Sequence, residues 1–173
     1  MDAKGVTWKA YNENFPGNCY AGQYLGKYFR KHNPFISFNN VRNNATRCAN
    51  IVDSSQLDLD LKNGQLPQYS YFTPNIDDDA HNTNITFAGT WLDNFLAPRL
   101  ASFPPRTLFM ITWDEDDKTE GNRIDTFVWG TMIKAGASDN LPYNHYSTLR
   151  TVELNWDLGD LGRNDATANP IKF

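Results

Sequence analysis

The sequence has no apolar run near the ~18–20 residues that a membrane-spanning helix needs, so no such span is expected. It has no basic block either: 16 Lys and Arg stand against 20 Asp and Glu, a formal net charge of -4. That balance argues against a nucleic-acid backbone or an anionic membrane surface as partner. No glycine-rich loop able to cradle a phosphate, no G-x-S-x-G elbow and no H-E-x-x-H zinc helix occurs. Cysteine is scarce, with Cys19 and Cys48 alone, which excludes a thiolate zinc site. The pair could close one bridge, as a secreted protein permits, or remain as two buried thiols. Internal repeats and low-complexity linkers are also missing.

Aromatic residues are plentiful. The chain is 40% hydrophobic and 14% aromatic, with 11 Phe, 8 Tyr and 5 Trp, which predicts one packed domain of 173 residues. Asn44-Ala45-Thr46 and Asn84-Ile85-Thr86 both fit the glycosylation acceptor pattern, with Asn44 and Asn84 as candidate sites. Together with the cysteine pair they point to a secreted or cell-wall location. Met1-Asp2-Ala3-Lys4 runs directly into a strand pattern with no leader-like stretch, so residues before Met1 are expected.

Along the chain, Val6 to Tyr11 reads as a strand that ends at a Pro-Gly turn. Residues 18–31 read as a weak helix stopped by Pro34. In "LDLDLKNGQLP" the leucines alternate as in a strand, but Ser54 or Ser55 as cap and Gly64 as stop favour a short helix. Tyr69 to Thr73 reads as a strand halted by Pro74. The strongest helix lies in 84–100, where Ala88, Trp91, Leu92, Phe95 and Leu96 form one apolar face and Pro98 ends the last turn. "TLFMITW" (107–113) is apolar on both faces, as in a covered strand of a parallel sheet. "DTFVWGTMI" predicts another strand and "HYSTLRTVELNW" another helix. The order strand, helix, strand with short links predicts an α/β fold with a mostly parallel sheet and flanking helices.

Ligands of such sheets gather at the carboxyl ends of strands. Two acidic clusters fall there. Asp114, Glu115, Asp116 and Asp117 follow the apolar run at once, either as a solvated turn or as oxygen ligands for a cation. Asn75, Asp77, Asp78, Asp79 and His81 follow the Tyr69–Thr73 strand, either as an Asx-rich turn with a surface histidine or as proton-handling machinery. If both strands share one sheet, their end loops share a rim and His81 approaches Asp114 and Glu115. The chain's other two histidines, His32 in "KHNPF" and His145 in "YNHYS", also sit among polar residues.

Six segments, "TWKAYNENFPG", "RKHNPFISF", "LPQYSYFTPNIDDDAHNT", "FAGTWLDNFLAPRL", "ITWDEDD" and "YNHYSTLRTVELNWDLGDLGRND", occur in one order over nearly the whole chain. In that order the sequence resembles the phosphoesterase family of fungal secreted acid phosphatases and bacterial phospholipases C, the fungal branch most of all. The resemblance implies an alkaline-phosphatase-like α/β fold and metal-assisted hydrolysis of phosphate esters, of phosphate monoesters or of phospholipid-like small molecules. It places a divalent metal, of unstated identity, on Asp114 and Glu115. It makes His81, Asp79 and His145 catalytic and puts His32 and Asn75 at the substrate. The family's early Glu-Asn metal motif and its hydroxyl nucleophile have no counterpart here; Glu13-Asn14 has the letters in the wrong place. The resemblance therefore implies a C-terminal part, incomplete at its N-terminus, that pairs with a missing N-terminal segment or another chain. The other reading is a secreted, non-catalytic aromatic-rich module, for example one that binds carbohydrate.

Overall fold

A computed structural model describes residues 1–172. Its strands are β1 (Trp8–Asn12), β2 (Tyr24–Leu25), β3 (Tyr28–Phe29), β4 (Ile51–Asp53), β5 (Tyr69–Thr73), β6 (Phe109–Thr112) and β7 (Thr126–Trp129). Its α-helices are α1 (Asn39–Arg42), α2 (Ala45–Cys48), α3 (Gln56–Lys62), α4 (Ile85–Leu96) and α5 (His145–Asn155). Two compact units form, the first spanning Asp2–Phe103 and the second beginning at Pro104. No helix among the described residues is long and apolar enough to cross a membrane.

The N-terminal unit is α/β, as expected. Its sheet has the order β4-β1-β5 and all three strands are parallel, with Ala10 opposite both Ile51 and Tyr71. β1 is the central strand, and Ala10, Tyr11 and Asn12 are almost wholly buried in it. A central strand of a parallel sheet is covered on both faces, which is why Tyr11 is enclosed although its hydroxyl needs a partner. Asp60 of α3 is that partner at 2.6 Å, and it also accepts from Lys9 Nζ at 2.5 Å and Gln56 Nε2 at 2.9 Å.

Sequence and structure agree on β1, α3, β5, α4 and α5. Asn84 caps α4 by accepting from the Phe87 N–H, and Asn144 forms a capping box with Ser147 at the start of α5. The expected α4 face packs inward: Trp91 stacks on Phe95 with centroids 4.9 Å apart, and Phe72 of β5 touches both rings.

Two expectations are corrected. Residues 18–31 form no α-helix. Gly17, Asn18 and Cys19 all take positive φ, and a two-stranded hairpin then turns at Gly26, whose φ is 57°. Cys19 is bridged to Cys48 of α2, which resolves the pair left open by sequence. The second correction concerns residues 107–113. β6 is no covered strand of a parallel sheet but pairs antiparallel with β7 alone, in a two-stranded sheet of the C-terminal unit, and its residues are half-buried or exposed. Its apolar residues meet cross-strand aromatics instead: Phe109 stacks on Trp129 with centroids 4.8 Å apart, and Trp113 meets the edge of Phe127.

Candidate active site

The predicted residues divide between the units. His32, Asn75, Asp79 and His81 belong to the first, Asp114, Glu115 and His145 to the second. Because β5 and β6 lie in different sheets, the shared-rim reason for bringing His81 to Asp114 and Glu115 lapses.

In the N-terminal unit the chain leaves β5 at Pro74 and folds around Asn75. The Asn75 Oδ1 accepts from the N–H groups of Asp77 (3.0 Å) and Asp78 (3.2 Å), and its Nδ2 donates to Asp78 Oδ2 at 2.7 Å. This is an Asx turn with a buried centre, and it engages both ends of the Asn75 amide. The Thr83 hydroxyl and the Asn82 N–H close the loop on the carbonyls of Asp77 and Ile76.

Asp79 joins the two histidines. Its Oδ2 lies 2.7 Å from His32 Nδ1, and its Oδ1 accepts the His81 backbone N–H at 2.9 Å. The imidazole centroids are 5.6 Å apart. His32 arrives on the 3-10 turn Arg30–His32, and the residue after it, fully buried Asn33, donates to the Tyr28 hydroxyl at 3.1 Å. Lys31 on the same turn puts its Nζ 2.8 Å from His81 Nε2. An ammonium can only donate, so Nε2 accepts, and Nδ1 carries the proton that it donates to Asn82 Oδ1 at 3.0 Å. The loop is thus more than a polar turn: it holds an imidazole pair and a cation around one carboxylate.

Glu13, one residue past β1, bonds this loop from beneath. Its Oε2 accepts the Asn75 N–H at 2.9 Å. Sequence reading sets Glu13 aside as part of a misplaced Glu-Asn pair and does not single out Lys31. The available signal was position: Glu13 lies just beyond the first predicted strand, and Lys31 precedes His32.

In the C-terminal unit the four crowded carboxylates separate into two kinds. Asp116 accepts backbone N–H groups from Lys118, Glu120 and Asn122, and Asp117 accepts from Thr119. Desolvation pushes the Asp116 carboxyl up, but these N–H donors outweigh it and hold the group below the usual carboxylate range. Those two acids build the turn. Asp114 and Glu115 are exposed, and the Asp114 carbonyl accepts from His145 Nε2 at 2.8 Å. The structure therefore brings His145, at the first position of α5, to the backbone of the first predicted metal ligand. Among the described residues no group of three or more His, Cys, Asp or Glu is placed to hold a metal ion. Asp114 and Glu115 suit a hard divalent cation in chemistry, but they provide only two of its donors.

Of three hydroxyls beside these clusters, two are occupied by structure. Ser147 is buried in the capping box and Thr83 closes the loop, whereas the buried Thr73 Oγ1 has no hydrogen-bond partner.

The sequence profile of the phosphoesterase family matches residues 1–159. The chain belongs to that family. This phosphoesterase chain is 42% identical to a probable acid phosphatase of Kluyveromyces lactis over its whole length, which is 44% of that protein. It is 40% identical to a phosphate-repressible acid phosphatase of Penicillium chrysogenum, again over the whole chain and 45% of the relative. A phosphatidylinositol-3-phosphatase of Mycobacterium tuberculosis is 31% identical over 91% of the chain and 51% of its own length. The phosphoesterase chain thus spans less than half the length of these acid phosphatases, and the resemblance read from its six motifs is borne out.

Proposed function

We propose that this chain carries part of the active site of a phosphatase that hydrolyses phosphate esters, with phosphate monoesters or phospholipid-like molecules as substrates. The observation that carries the reading is the Asp79-centred cluster of His32, His81 and Lys31, together with relatives named as phosphatases. In this reading Asp79 fixes His32 through Nδ1 and leaves its Nε2 to face a phosphoryl oxygen. His81, with a proton in place of Lys31 on Nε2, stabilises phosphoryl charge or delivers that proton to the leaving oxygen. Lys31 adds positive charge beside it. Asp114 and Glu115 are the two chain donors for a divalent ion, and His145 fixes the Asp114 backbone. Such an ion, when bound, supplies charge that polarises a phosphoryl oxygen. Its remaining ligands and the hydroxyl nucleophile then come from outside the residues described here, in an alkaline-phosphatase-like whole.

The test is hydrolysis of a chromogenic phosphate ester with added divalent metals, by the 173-residue chain and by a form extended at its N-terminus. The extended form is expected to turn over and the chain alone to do so poorly. His81→Ala in the active form should lower kcat by about 10²-fold or more. Full activity in that variant would overturn the role given to His81.

A secreted or cell-wall location belongs to the same proposal. The Cys19–Cys48 bridge and the exposure of Asn44 and Asn84 support it. Each asparagine caps a helix through Oδ1, so its Nδ2 remains open to a glycan. A mass decrease on glycosidase treatment of protein from a eukaryotic secretory host is the expected result; an unchanged mass removes this support.

A further inference from the structure

We infer that Lys31 is a positioning residue for His81. Its ammonium holds the imidazole neutral, with the proton on Nδ1, until a phosphate oxyanion draws the ammonium away and Nε2 takes up a proton. The inference rests on reading this loop as the phosphate-handling site, and it adds what arms the histidine there.

The imidazole is held from both sides. Lys31 Nζ lies 2.8 Å from Nε2, and Asn82 Oδ1 lies 3.0 Å from Nδ1. An ammonium has no lone pair and an amide oxygen has no proton, so the two contacts require the same tautomer. They also require a neutral ring, because Nε2 can accept from Lys31 only while it carries no proton of its own. A histidine in this state cannot act as an acid at Nε2. The resting contact and the role in phosphoryl transfer therefore exclude each other, and Lys31 has to move.

The structure allows that movement without disturbing the backbone. In the turn Arg30–His32 the Arg30 N–H donates to the Gln23 carbonyl and the Asn33 N–H to the Arg30 carbonyl, both at 3.0 Å. Buried Asn33 pins the end of the turn through the Tyr28 hydroxyl. The Lys31 side chain, by contrast, is exposed, and its ammonium rides on a flexible four-carbon stem. A neutral ring nitrogen offers that ammonium only a lone pair, whereas a phosphoryl oxygen offers full charge. The other charged groups stay in place. Asp79 accepts the His81 N–H with one oxygen and faces His32 Nδ1 with the other, and Lys27 and Asp77 hold each other at 2.9 Å. After the exchange the ammonium rests on the phosphoryl oxygen and Nε2 carries one proton taken from solvent. Asp79 balances the new imidazolium, and no other covalent bond changes.

The test is nitrogen NMR of the imidazoles in the 173-residue chain at neutral pH, with inorganic phosphate as the probe. In the free wild type, His81 should show a protonated Nδ1 and a pyridine-like Nε2. Lys31→Met removes the donor and should lose that preference, whereas Lys31→Arg still donates and should keep it. The side chain is exposed, so neither substitution touches the core. A wild-type ring with its proton on Nε2, or a ring unchanged in Lys31→Met, overturns the proposal. Millimolar phosphate should then move the wild-type Nε2 signal from the pyridine-like to the protonated range. Phosphate that perturbs Lys31 or His32 while His81 Nε2 keeps its lone pair overturns the exchange alone. Phosphate that perturbs none of the three sinks the reading of the loop as a phosphate site, and the exchange with it.

Discussion

Single carboxylates in this chain are pushed in opposite directions, and their pH signatures differ accordingly. Burial pushes the Asp60 carboxyl up, but bonds from Lys9, Tyr11 and Gln56 outweigh it and leave it below the ordinary range. Its contribution to stability is therefore present at neutral pH and lost as pH falls through that depressed value. Removing it strands a half-buried ammonium and an enclosed phenol, so Asp60→Ala should cost about 3–5 kcal/mol in urea unfolding. Glu13 behaves the other way. Its ordinary value is 4.5 and the folded value about 7, so the native state holds a proton that the unfolded chain has released. The stabilisation is complete below pH 4.5 and fades as pH rises through 7. Thermal unfolding between pH 4 and 8 should show a falling Tm over that window in wild type and a flatter one in Glu13→Gln.

The strand Tyr69–Thr73 and the helices starting at Ile85 and His145 were most legible in the sequence, although Ser55, an expected cap, starts α3 without a side-chain cap bond. Asn84 and Asn144 cap helices because a short side-chain oxygen reaches an N–H that has no partner in the first turn, and that chemistry is local. Replacing Asn144 by Ala should cost about 1–2 kcal/mol, measured by denaturant unfolding, since it undoes both halves of the capping box. Residues 18–31 were misread because helix propensity says nothing about a positive φ at Asn18 and Cys19 or about a distant sulfur partner. β6 was misread for a different reason. An apolar run on both faces fits a covered strand, and it fits equally a ribbon whose aromatics stack across the pair, as Phe109 and Trp129 do. At the site, the Asp-x-His spacing was visible in sequence. The contacts of Asp79 with His32 and of Glu13 with Asn75 span 47 and 62 residues (79 − 32 and 75 − 13), and no local pattern reports them.

Across the whole molecule, the one disulfide ties the segment after β1 to the segment before β4, across a sequence separation of 29. Reduction under native conditions should lower stability by about 2–4 kcal/mol, measurable as a shift in the urea midpoint, with Cys48→Ser giving the same loss and no further response to reductant. The sheet itself has a temporal consequence. β1 is made first, yet its two neighbours are β4 and β5, which begin at Ile51 and Tyr69. A chain growing from a ribosome at about 5–20 residues per second therefore holds Trp8–Asn12 with both edges open for several seconds. Hairpin formation, which takes microseconds, offers that strand no early partner. Its apolar residues wait for contacts far along the chain, so nascent chains that end before β5 should bind holding chaperones, and release should follow the emergence of β5.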